Sequence, residues 1–255
     1  MGSLAIARLS VLETLRRKEF YIVLVLVLGL AAWMHMLNLT ASGTGRFAKD
    51  IVMQVIWLAS FALTVPLAAR QISSDVEQKT VYVLLSRPIH RWQYVLGKEI
   101  GAIFASVICF SSMFAVLVLM LVAKGAGSIG DPSLWQAYIL QVMALITLCS
   151  LTLCLSTVST PGGAITFSLL MLVTTRYGSA AILNHIEQMP NASRDVAWGA
   201  YLLIPHFEFF NVSQRVVHGW GMLPIGLFVQ AVVYGLICSA FFVALAAAVF
   251  RKRWL

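Results

Sequence analysis

The side chains able to do chemistry are few and scattered. His35 lies between Met34 and Met36, a thioether and imidazole set that suits a soft metal such as copper(I). His185, His206 and His218 follow much later, with Glu187 and Glu208 near two of them. This spacing fixes no ligand geometry, and methionine is ordinary apolar filler, so no metal site is expected. Gly97-Lys98 has the look of a phosphate loop. Glu99, however, stands where Ser or Thr is required, and no glycine lies at the required distance upstream. The chain has no HExxH helix and no G-x-S-x-G elbow, so no catalytic residue is expected. Cys109, Cys149, Cys154 and Cys238 all sit in apolar runs without a CxxC pair and read as small packing residues. Arg176 is the costliest residue by position. An arginine at mid-bilayer costs about 2.5–3.5 kcal/mol on insertion scales. Either it faces a transport path, a lipid or an anionic cargo, or its helix ends early and the head snorkels to the surface.

The elements that hold these residues are set by composition. Of 255 residues, 60% are hydrophobic and 11% charged, and the mean hydropathy is +0.88. Soluble domains carry about 25% charged residues. This chain cannot clothe a globule in polar surface, which argues against a soluble enzyme, a nucleic-acid binder or a disordered protein. The pattern predicts an all-α polytopic membrane protein with six spans, each near the roughly 20 residues a bilayer requires. They are Phe20–Leu37, Ile51–Ala69, Ile100–Val122, Trp135–Leu155, Gly162–Leu183 and Pro224–Val249. With both termini cytoplasmic, 12 of the 18 basic residues fall inside, against 5 of the 10 acids. That is the positive-inside bias, and it explains the net charge of +8 without nucleic acid.

Three stretches between the spans carry more information. Residues 4–18 repeat Ala5, Leu9, Leu12 and Leu15 at helical spacing with Arg8 and Arg16 on another face, which predicts an amphipathic interfacial helix. The alternative is a simple basic flank. Residues 70–99 form the expected cytoplasmic loop. Ser74 and Glu77 make a capping-box pattern, Tyr82, Leu84 and Leu85 give a short apolar face, and Pro88 stops it. A capped apolar helix held outside the bilayer needs a cover: lipid, the protein's own spans, or a partner. Residues 184–223 include Trp198, Tyr201, Phe207, Phe209 and Phe210, too apolar for a plain loop. They are expected to be re-entrant or interfacial on the outer side.

The order Arg70, Glu77, Thr80, then Leu84-Leu85-Ser86-Arg87-Pro88, Arg91 and Gly97-Lys98 resembles the loop between spans two and three in membrane subunits of type-2 ABC exporters. Leu203 through Asn211 is similar to the segment before the last span in the branch that includes the permease of nitrous-oxide-reductase maturation. The resemblance implies a permease subunit in the cell inner membrane, paired as a homodimer or heterodimer and served by cytoplasmic ABC ATPase subunits. ATP and magnesium would sit on the ATPase, and no cofactor on this chain. By position it implies that Asp75, Glu77, Thr80, Leu84, Leu85 and Arg87 form the ATPase-coupling surface. The expected function is export or extrusion of a lipid-like or amphiphilic substrate. The alternative is a mechanical transmitter, passing ATPase strokes to an extracytoplasmic accessory protein on 184–223 without moving cargo.

Overall fold

The computed structural model describes Tyr21, Val25, Gly29 and residues 44–77, 91–123, 131–188 and 190–252. The 4–18 helix, all but those three residues of the first span, and loop positions Thr80, Leu84, Leu85 and Arg87 lie outside the described residues. Among the described residues, every regular element is helical. The long helices are α1 (Thr44–Glu77), α2 (Arg91–Ala123), α3 (Pro132–Val158), α4 (Pro161–Tyr177) and α8 (Ile225–Lys252). Short helices α5 (Ser179–Glu187), α6 (Asn191–Leu203) and α7 (Ser213–His218), with a 3₁₀ turn at Phe207–Phe210, fill the stretch between α4 and α8.

Four of the described helices are long and apolar enough to cross a membrane: Asp50–Ser73, Trp92–Leu119, Pro132–Val158 and Ile225–Arg251. They correspond to expected spans two, three, four and six. The expected fifth span, Gly162–Leu183, is divided. α4 ends at Tyr177, giving 17 residues, or about 25 Å at 1.5 Å per residue. The break falls at Gly178, where an added Cβ would lie 2.7 Å from the Thr174 carbonyl oxygen. Only glycine lets the chain turn that closely before α5 begins.

Two boundaries of the expected loop also move. Span two was expected to stop at Ala69, with Ser74 capping a new helix. Instead α1 runs unbroken to Glu77 and Ser74 lies within it. No glycine or proline interrupts residues 67–77. Tertiary contact also supports the extra turns: Gln71, Ile72 and Ser73 are buried, and the Ser73 hydroxyl donates to the Ser156 carbonyl of α3 at 3.2 Å. α2 likewise starts at Arg91, nine residues before the expected Ile100. It takes Gly97, Lys98 and Glu99 into the helix, all three buried. This removes one charge of each sign from the expected inner loop and leaves the basic bias unchanged.

α3 is the hub of the bundle. It packs against α1, α2, α4 and α8, and 72% of its most apolar window is buried, against 17% for α8. A surrounded helix needs no polar face but must silence its own polar groups. Thr147, Thr152, Ser156 and Thr157 do so by donating back to carbonyls three or four residues earlier, at 2.7–2.9 Å. Gln141 reaches across to α1, its Nε2 donating to Ser60 Oγ at 3.0 Å. Small residues on α2 (Gly97, Gly101, Ala105) are buried, as close helix packing requires. The outward faces carry Phe104, Phe167, Leu170, Ile225, Ile237 and Phe241, all more than half exposed. Such a band suits hydrocarbon and not water.

Candidate functional site

Every long helix alternates direction, so the ends of α1, α3 and α8 meet the starts of α2 and α4 at one end of the bundle. Asp75 and Glu77 lie in the last turn of α1, and Arg91 opens α2. Between them run residues 78–90, where the rest of the expected coupling surface falls. The two stems of this loop are fastened to the hub and the last helix. Ser73 bonds to α3, Ile72 and Val95 are fully buried, and the Tyr94 ring stacks on Phe250 of α8 at 5.6 Å between centroids and 25° between planes. Force applied to 78–90 therefore reaches α3 and α8 as well as the two helices that carry the loop.

At the opposite end, the stretch between α4 and α8 folds back into the bundle. Phe207 and Phe210 are fully buried in the main apolar core, together with Val212, Val216 and Val217. The Phe210 ring packs on Gly235, where an added Cβ would meet Phe210 Cε1 and Cζ at 3.2 Å. Gly235 lies ten residues into α8, about 15 Å along its axis. His206 anchors the turn: its backbone N–H donates to the Tyr234 hydroxyl at 2.9 Å, and its Nδ1 lies 3.1 Å from the same oxygen. Tyr201 meets the His206 ring edge-on at 4.3 Å. Ser179, just past Gly178, donates to the Glu208 carboxylate. Burial lowers the His206 pKa, with the Glu208 charge opposing. Burial also raises the Tyr201 pKa, and Glu208 adds to the effect.

Arg176 closes α4 at this same end. The helix does end early, as one reading of the sequence expects, but the head does not snorkel outward. Arg176 is only 8% exposed. Its guanidinium lies 5.4 Å from the Trp57 ring and 5.5 Å from the Phe61 ring, both on α1. A weakly hydrated, delocalised cation is well suited to such aromatic faces. Its role is thereby at least structural, tying α4 to α1.

Two concavities accompany these ends. One, of about 540 Å³, lies under α7 and the start of α8, with Phe209, Trp220, Leu227 and Tyr234 in its walls and Arg215 as its one charged residue. The size is that of small-molecule sites. The other is a groove of about 390 Å³ between α2, α3 and α8, with Glu99 as its one charged residue. Glu99 is 2% exposed, and Ser150 Oγ donates to its Oε1 at 2.7 Å. The sequence reading counted Glu99 as a loop acid and missed both concavities. The aromatic pair Trp92 and Tyr94, which mark the start of a span, was the signal that could have placed Glu99 inside the helix.

Among the described residues, the metal-like side chains do not come together. His185 and His218 are exposed while His206 is buried, and among the described residues no three His, Cys, Asp or Glu side chains cluster. No curated protein matches the chain. The model of the ABC-2 family transporter protein family matches residues 4–255. With that match over nearly the full sequence, and with apolar helices of membrane-crossing length, the chain belongs to the ABC-2 transporter family as a multi-pass membrane permease of an ABC transporter.

Proposed function

We propose that the chain is the permease of an ATP-driven exporter, driven through residues 75–87 by a cytoplasmic ATPase on a separate polypeptide. The observation that carries this reading is the fastening of both loop stems. Ser73 to Ser156 and Tyr94 to Phe250 join the loop to helices that do not contain it. A thrust on such a loop tilts a block of helices together, which is what biasing a membrane pair between inward-open and outward-open states requires. Asp75, Glu77, Thr80, Leu84, Leu85 and Arg87 form the coupling surface. The 77–91 end faces the cytoplasm with both termini, the membrane is the cell inner membrane, and α4 with the 20–37 segment completes six spans. ATP and magnesium belong to the ATPase. Two permease chains assemble, alike or different.

Residues 203–218 act as a re-entrant plug on the outer side, supported by the depth at which Phe210 meets Gly235. The likeness of Leu203 through Asn211 to the nitrous-oxide-reductase maturation branch fits this placement. An outer cavity that joins apolar walls (Phe209, Leu223, Leu227) to polar ones (Asn211, Gln214, Arg215, Gln230) favours an amphiphilic cargo over the transmitter alternative. Co-purification tests the reading. The wild-type chain, co-expressed with a candidate cytoplasmic ABC ATPase from the same genome, captures that ATPase, and the Glu77→Ala/Leu84→Ala variant loses it. Undiminished capture by the variant counts against the coupling surface. A tightly bound extracytoplasmic protein, with ATPase activity indifferent to amphiphiles, would favour the transmitter.

A further inference from the structure

We propose that the groove between α2, α3 and α8 binds an amphiphile through a primary ammonium head held by Glu99. The inference names the headgroup of the amphiphilic ligand argued above and rests on that reading. Glu99 lies eight residues into α2, about 12 Å along the helix, well inside the apolar stretch. One carboxylate oxygen takes the Ser150 hydroxyl. The other, Oε2, is buried and has no hydrogen-bond partner among the described residues. A buried carboxyl oxygen left unmatched is costly, and a buried anion is best matched by a cation that also donates hydrogen bonds.

The rest of the groove selects the kind of cation. Trp92, Ser239, Ala240 and Ala244 join Glu99 and Ser150 around it, with no second charge of either sign. Alanines leave room for a hydrocarbon body along α8. The Ser239 hydroxyl donates to Leu236 O and keeps its lone pairs for a second N–H. A primary ammonium has three donors for such acceptors, whereas a trimethylated head has none. An anionic head would meet the carboxylate at close range and be repelled.

The test uses the purified chain in phosphatidylcholine nanodiscs with labelled dodecylammonium, dodecanol and dodecyl sulfate. Dodecylammonium should bind saturably and dodecyl sulfate should not. Glu99→Gln keeps the size and the Ser150 contact but removes the charge. It should weaken dodecylammonium about tenfold or more while changing dodecanol less than about twofold. Ala244→Phe should block the groove, and 12-bromododecylammonium should quench wild-type fluorescence more than that of Trp92→Phe. Phosphatidylethanolamine in the nanodisc should compete if the natural ligand is a membrane lipid. Its failure to compete assigns a free amine, and either result keeps the ammonium assignment. Equal affinities for all three probes, or an unchanged dodecylammonium affinity in Glu99→Gln, overturns the headgroup alone. No saturable binding of any probe overturns the amphiphile reading itself. A disulfide joining two copies through Ala244→Cys would show the groove closed by a second chain and would also overturn the proposal.

Discussion

Replacing Gly235 by alanine tests whether residues 207–210 sit deep in the bundle, because the sign of the effect depends on Phe210. In an open helix Gly→Ala is stabilising by up to about 1 kcal/mol. Here the new methyl would lie 3.2 Å from Phe210 Cε1 and Cζ and 3.4 Å from Met143 Cβ, inside the 3.5–4.0 Å optimum for carbon contacts. Phe210 is fully buried and cannot swing clear. Overpacking of this kind costs about 1–3 kcal/mol, so the clash outweighs the helix gain and the variant is destabilised. Phe210→Leu alone should cost about 1–2 kcal/mol through lost packing. In that background the alanine has room, and Gly235→Ala should become neutral or stabilising. The assay is thermal unfolding in detergent, followed with a thiol-reactive dye. Cys109, Cys149 and Cys154 are buried in the fold and react on opening. At about 2–4 °C per kcal/mol for a chain of this size, the sign reversal is measurable. Costs that simply add in the double variant would show that Phe210 does not lie against Gly235, and the re-entrant placement would fall with it.

Other outcomes follow from the same contacts. A double-mutant cycle between Arg176→Met and Trp57→Leu should give a coupling of about 0.5–2 kcal/mol; zero coupling in thermal unfolding would deny that the guanidinium rests on that ring. Ser60→Ala removes the acceptor for Gln141 and should lower stability by about 0.6–1.7 kcal/mol, the range for interhelical bonds in membranes; no change refutes the α1–α3 bridge. His206 has its pKa lowered by burial, so the unfolded chain binds the proton more readily. Stability should therefore be highest above pH 6.5, the ordinary value, and fall as pH drops through it. His206→Gln should flatten that pH dependence of the unfolding midpoint, and an unchanged slope would assign it elsewhere. Impermeant maleimide should label Trp198→Cys readily and Phe207→Cys or Phe210→Cys poorly; uniform labelling refutes the plug.

How much of this was legible in the sequence depended on whether the signal was local. Four spans were placed by apolar length alone, since a bilayer sets that length whatever the packing. The loop boundaries were not. Ser74 and Glu77 have the spacing of a cap, yet the contacts of Ile72 and Ser73 with the bundle carry α1 through them. Lys98 and Glu99 read as loop charges because charge normally marks the bilayer edge, whereas Ser150, some fifty residues away, receives the Glu99 carboxylate within the bundle. Gly178 was visible as a glycine but was absorbed into an apolar run that averages over one residue. The burial of Arg176 depends on Trp57 and Phe61 of another helix, and no spacing rule links them. The proposed coupling surface, Asp75, Glu77, Thr80, Leu84, Leu85 and Arg87, came from family resemblance, which needs no tertiary contact.

The most direct test of the account is a crosslink from the loop itself. With Leu84 replaced by a photoreactive amino acid in the assembled transporter, irradiation should join the permease to the ATPase, and added nucleotide should change the yield. Crosslinks to lipid or to extracytoplasmic protein alone, with none to the ATPase, would contradict the claim that residues 75–87 receive its thrust.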